Sequence, residues 1–189
     1  MKATKEGIKK LLLSVKRKGM KELVEYLEKE SDYFTAPAST RFHEARKGGL
    51  MNHCWNVYTL LNEKNERFNL KIPEESIIIT AFLHDLCKVN VYKDRILKNG
   101  KMSDIPYELE EDLPLGHCTK SIFIVSKFMQ LTNDEALMIR WHMSWSDYEF
   151  KKHIDAVKEF TPSVMALITA DIEASDFLDE KFEKNDKSK

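Results

Sequence analysis

Ile77-Ile78-Ile79-Thr80-Ala81-Phe82-Leu83 runs directly into His84-Asp85-Leu86-Cys87-Lys88. The first seven residues are apolar almost all round, so a helix built from them has no face for water and must be the central, most buried one. Pro73 suits its first turn, and Glu74 and Glu75 follow where the helix dipole favours acids. The His84-Asp85 pair then falls in surroundings where an unpaired imidazole and carboxylate are costly. A bound divalent cation suits both groups at once, since neutral imidazole and ionised carboxylate are transition-metal ligands. If the helix continues, Lys88 shares their face. A metal-ligating pair beside an ammonium describes a site for an anion, most simply a phosphate. A lone His-Asp dipeptide is more often a surface pair or a hydrogen-bonded core histidine, so the other histidines must decide.

The rest of the chain alternates helices with breaks. Helical spacing predicts helices over 3–17 (Ile8, Leu11, Leu12, Val15) and about 20–30 (Met20, Leu23, Val24, Leu27), with lysines on a solvated face. Residues 31–49 are irregular, marked by Pro37 and Gly48-Gly49, and carry Arg41, His43, Arg46 and Lys47. A helix from Leu50 to about Phe68 holds His53. Residues 92–97, Asn99-Gly100 and Lys101 onward predict a β-hairpin, an insertion near 91–107 that is either a flap beside the site or a plain surface excursion. Gly116 opens a helix to about Gln130 carrying His117, with Ile122, Phe123, Val125 and Phe128 turned inward. Thr132-Asn133-Asp134-Glu135 is a capping-box signature for a helix reaching His142, flanked by Trp141 and Trp145. A last helix, Ser163 to about Phe182, contains Asp171, and a disordered tail is expected at 184–189.

The histidines and acids that interrupt apolar helical stretches are His53, His84-Asp85, His117, His142 and Asp171. They are spaced by 31 (53 to 84), 32 (85 to 117), 25 (117 to 142) and 29 (142 to 171) residues. Each interval spans a helix, a connection and a return, which lets the side chains converge within a bundle, as metal sites in helix bundles do. His153, after Lys151-Lys152, is expected to face solvent.

Bulk properties narrow the function. The chain has 189 residues, long enough for one domain with a real core, here residues 1–183. A net charge of −1 gives no overall field for nucleic acid. Three cysteines, none in a C-x-x-C pair, read as reduced thiols packing helices in a cytoplasmic protein. No stretch approaches the ~20 apolar residues of a membrane span. Monomer and dimer remain equally open.

The order His…His-Asp…His…His…Asp resembles the HD-domain superfamily of metal-dependent phosphohydrolases. Gly48-Gly49-Leu50-Met51-Asn52-His53 resembles the G-G-L-x-x-H entry of HD hydrolases related to 3′–5′ exoribonuclease HD domains. Leu83-His84-Asp85-Leu86-Cys87-Lys88 resembles the L-H-D-x-x-K core. Leu115-Gly116-His117 and Arg140-Trp141-His142-Met143 resemble a bacterial and phage branch, although many members carry a second histidine at the place of Met143. The resemblance implies an all-α HD-type bundle over 33–182, preceded by N-terminal helices at 1–32.

It also implies one ion held by His53, His84, Asp85 and Asp171. His117 and His142 then either hold a second ion, with Asp85 shared, or bind phosphate or donate a proton to the leaving group at a one-ion site. Mn, Fe, Co, Ni or Zn suit such N/O ligands. The expected activity is hydrolysis of a nucleotide or other small phosphate ester by a metal-activated hydroxide. Asp85 and Lys88 are the catalytic candidates, and His43, Arg46, Lys47, Lys88 and Lys120 the substrate-binding ones. The alternatives are a 3′–5′ nuclease on single strands and a nucleotide-binding sensor on a metal-stabilised fold.

Overall fold

The computed structural model describes residues 3–147 and 149–182, without the side chain of Trp145. The expected tail at 184–189 and the expected aromatic flank from Trp145 therefore lie outside the described residues. The chain is mostly helical with one small antiparallel sheet. In order, the elements are α1 (Lys5–Ser14), α2 (Met20–Lys29), α3 (Gly49–Phe68), α4 (Glu74–Leu83), β1 (Tyr92–Ile96), β2 (Met102–Leu109), α5 (His117–Ser126), α6 (Asn133–Trp141), α7 (Phe150–Phe160) and α8 (Ser163–Glu173). Among the described residues, no helix is long and apolar enough to cross a membrane.

α4 occupies the centre, as its uniform apolarity requires: every residue from Ser76 to Leu83 is buried. Ile78, Ile79, Phe82 and Leu83 face a core shared with α1, α2, the start of α3 and Val125 of α5. Ile77 and Ala81 face a second core with Val57, Leu61, Met138, Leu167 and Ala170. A helix sandwiched in this way has its end held from all sides, so whatever follows Leu83 is delivered to a fixed point. The capping box at Thr132 and Glu135 is present, and Glu135 does more than cap. Its buried carboxylate also accepts from Arg17 Nη1 at 2.6 Å and from Ser76 Oγ at 2.8 Å. The stretch after α1, the start of α4 and the start of α6 are thereby tied to one anion.

Several expected boundaries move. α1 stops at Ser14 rather than 17, where Val15 turns extended and the chain leads Arg17 toward Glu135. α5 ends at Ser126, and Phe123 faces out (43% exposed) beneath the Lys127 ammonium instead of packing inward. α7 was not expected; its Phe150, Ile154 and Val157 form an i, i+4, i+7 stripe against Trp141, Val164 and Ile168. The last helix passes from α8 into a π-helical turn, Ala174–Leu178, and the chain is extended by Asp179, well before Phe182.

The hairpin forms where the Asn-Gly turn predicts it, with Gly100 at φ +79°. Tyr92 pairs with Leu109, Asp94 with Tyr107 and Ile96 with Met102, so the register slips between Asp94 and Ile96. Pro106 lies in the slipped stretch and has no N–H to offer a ladder.

Candidate metal centre

The six residues singled out by spacing come together, and most of them sit at helix ends. His53 lies one turn into α3. The start of that helix is placed by Gly48, in the left-handed region at φ +76°, and by Gly49. A Cβ on Gly49 would lie 2.0 Å from the Glu44 carbonyl oxygen, so only glycine lets the loop and helix meet. His84 and His142 are the C-terminal caps of α4 and α6. Both use the same device. Nδ1 of His84 lies 2.9 Å from the Ala81 carbonyl, and Nδ1 of His142 lies 2.8 Å from that of Ile139. Each ring thus donates to a carbonyl three residues back, one of those a helix end leaves without a partner. α4 stops at Leu83, directly before the dyad, and Asp85 leads into a 3₁₀ turn, Leu86–Lys88, so the helix does not continue to Lys88. Lys88 still reaches Asp85, with Nζ 2.7 Å from Oδ2. His117 is the first residue of α5, and Asp171 projects from α8.

Asp85 is the hub. Its Oδ2 lies 3.6 Å from His53 Nε2 and 3.5 Å from His84 Nε2. Its Oδ1 lies 2.6 Å from His117 Nε2 and 3.5 Å from His142 Nε2. Asp171 Oδ1 closes the first side at 3.1 Å from His53 Nε2 and 3.9 Å from His84 Nε2. Two sets of three ligand atoms, one with His53, His84 and Asp85 and one with Asp85, His117 and His142, each lie within 4.8 Å of one another. His84, His142 and Asp171 form a further such set.

The tautomers follow from the partners. Nδ1 of His53 faces Asp179 Oδ2 at 2.7 Å, and Nδ1 of His84 and His142 face carbonyls, all of which only accept. Nδ1 therefore carries the proton in all three, and in a neutral ring Nε2 keeps its lone pair. Those three Nε2 atoms are buried and have no hydrogen-bond partner among the described residues. Where such a ring is neutral, its Nε2 lone pair faces a carboxylate oxygen, acceptor against acceptor; a proton, as the raised His53 and His142 rings indicate, or a cation between them resolves the conflict. These His and Asp groups could hold a metal ion; their chemistry does not single out which one.

The electrostatics agree. Burial opposes ionisation of Asp85, but Lys88 and the surrounding imidazoles outweigh it and hold the carboxyl well below the usual range. Burial likewise opposes ionisation of Asp171, and the neighbouring His53 outweighs it and holds the carboxyl low. Burial lowers His84 to about 4, keeping its ring neutral. Burial also pulls His53 down, yet Asp171 and Asp179 overcome it and raise the ring to about 9. A pocket that keeps its carboxylates ionised while raising an imidazole is one that draws positive charge.

Other expected participants are placed differently. His43 directs Nδ1 to Asp179 Oδ2 at 2.7 Å and so backs His53 rather than standing free for a substrate. Arg46 pairs with Glu44 at 2.7 Å and Glu180 at 2.8 Å, outside the His/Asp group, and Lys47 is exposed. Lys120 is buried with Nζ 2.6 Å from Glu111, and it lines a cavity together with Lys88 and His117. All three cysteines are buried, and burial pushes the Cys87 thiol up to about 12, which suits packing rather than ligation. His153 is exposed, as expected.

Asp179 is the functional residue that sequence reasoning missed. Its carboxylate accepts from His43, His53 and Asn56, the last at 2.8 Å. It is brought there by a short bridge between His43 and Lys181 and by Glu44 N–H donating to the Glu180 carbonyl at 2.7 Å. Nothing local separates it from Asp176, which pairs with Lys181 at the surface. In comparisons with known proteins, no family model matches the chain, and no curated protein or solved structure does.

Proposed function

We propose that this protein is a metal-dependent phosphohydrolase built on an HD-type helical bundle, acting on a nucleotide or another small phosphate ester. The observation that carries this reading is the set of three buried, unpartnered imidazole Nε2 atoms around Asp85 and Asp171. His53, His84, Asp85 and Asp171 would hold one ion. Asp85 and the histidines His117 and His142 would hold a second, and the division of neighbours between the two oxygens of Asp85 supports the two-ion form over the one-ion form.

A bound ion of this kind supplies Lewis acidity toward a phosphoryl oxygen and lowers the pKa of water toward neutrality. The chain's own groups supply the rest. Lys88 holds its ammonium beside Asp85 at the edge of the lining of a cavity of about 310 Å³, where it can take up charge developing on a phosphoryl oxygen. His117 keeps 31% of its side chain exposed and so marks the side from which a substrate approaches. Asp179 holds the His53 ring in one orientation and one tautomer. A cavity of that size suits a small phosphorylated molecule rather than several nucleotides of a strand.

The test is elemental analysis of the purified protein, followed by a panel of mono-, di-, cyclic and oligonucleotides with Mn, Co or Ni added. Stoichiometric metal with turnover of a small phosphate ester is expected. Metal-replete protein that binds nucleotides tightly and turns none over would favour a sensor instead. Turnover confined to oligonucleotides, with affinity falling steeply as salt rises, would favour the nuclease.

A further inference from the structure

The cavity that contains Lys88 and His117 continues under the hairpin, where its wall holds a second lysine. Lys120 is only 5% exposed, yet it carries an ammonium that burial disfavours unless an anion meets it. In this structure the anion is Glu111, with Oε1 2.6 Å from Lys120 Nζ. Glu111 lies on the irregular segment after β2 and is held in place by little else. The Leu113 N–H donates to the same oxygen at 2.9 Å, and the Glu111 side chain remains 40% exposed. Asp112 stands farther off, at 3.8 Å from the ammonium, and is almost fully exposed. Tyr92 of β1 and Leu109 of β2 line the same cavity, so the hairpin forms part of its wall.

A buried cation, met by a half-exposed carboxylate on a loop, in the same cavity as the proposed phosphate lysine, is a place where one anion can be exchanged for another. We propose that Lys120 is a second anion subsite, that the substrate carries a second phosphate group beyond the one at Lys88, and that Glu111 is the internal anion this group displaces. Phosphoanhydrides and bisphosphates have the required chemistry. The inference rests on the phosphohydrolase reading for its substrate but not for its binding step. Displacement breaks the Glu111–Lys120 ion pair and returns Glu111 to solvent, so removing the Glu111 charge favours ligands with two phosphates over those with one.

Calorimetry on the full chain, with inorganic phosphate and methylene-bisphosphonate as probes, tests this. Glu111→Gln should tighten the bisphosphonate about tenfold, the size expected of a charged hydrogen bond exchanged, while phosphate changes less than twofold. Lys120→Met should weaken the bisphosphonate by about the same factor. Because Lys120 is buried, Glu111→Gln, at a half-exposed position, is the deciding variant should Lys120→Met fail to fold. Equal affinities for native protein and Glu111→Gln, or equal changes for both probes, overturn the proposal. Tightening without turnover of any phosphate ester would leave the subsite standing and remove the hydrolase reading. Turnover with unchanged bisphosphonate affinity would do the reverse.

Discussion

Asp179 on one side and Asp85 with Asp171 on the other gather imidazoles, and they do so with different hydrogen-bonding consequences. Asp179 is met by donors on both oxygens, from His43, His53 and Asn56. Its needs are complete within the protein. Asp85 also takes donors, Lys88 on Oδ2 and His117 on Oδ1, but around it and Asp171 stand three further Nε2 atoms whose rings already commit a proton at Nδ1. All three carboxylates are held ionised, yet among the described residues only the inner cluster has buried imidazole nitrogens without a hydrogen-bond partner. Gathering His and Asp is therefore not enough to mark an ion site; the direction in which the protons point separates a support from a centre.

The comparison breaks most decisively at its hub. Asp85→Ala removes the oxygen pair shared by both sides and should abolish metal retention and hydrolysis together, a loss of about 10³-fold or more in turnover. Lost activity with metal content unchanged by elemental analysis would contradict the hub assignment. Asp179→Ala should act one step out, leaving the inner ligands intact while weakening the ion about 10- to 100-fold. Competition against a chelator measures this, and an unchanged constant would make Asp179 a purely structural clasp. Lys88→Ala should retain the metal while slowing turnover about 10²-fold. Wild-type kinetics in that variant would end its role toward phosphate.

The smallest effect concerns acid. Burial pushes the Asp179 carboxyl up, but the hydrogen bonds from His43, His53 and Asn56 bring it well below its ordinary value of 3.8. A folded-state pKa below the unfolded one contributes stability that is present above the unfolded value and is lost as pH falls below it through the folded one. Asp179→Asn should therefore flatten the fall of the urea midpoint on going below about pH 4, with little change in slope near neutrality. An unaltered acid limb would show that Asp179 does not carry it.

Much of this cluster was legible in the chain because each of its six residues interrupts an apolar helical pattern, and burial makes such interruptions conspicuous. His53, His84, Asp85, His117, His142 and Asp171 all announce themselves in this way, and the structure brings all six to one place. Asp179 does not, since it lies in a polar run with Asp176 and Glu180 and acquires its meaning only when the chain after α8 folds back on residues 42–44. His43 and Arg46, expected to meet substrate, pair with that same returning segment, through Asp179 and Glu180, which their sequence positions do not reveal.

Periodicity along the chain determined that α4 is buried and that a histidine and an aspartate follow directly at its end, because the free energy of burying apolar side chains acts on local pattern. Which nitrogen of each ring holds a proton, and which carboxylate is satisfied by donors, was decided only by the tertiary structure. Hydrogen bonds depend on direction over a few ångströms between segments far apart in sequence, and no linear spacing encodes that direction.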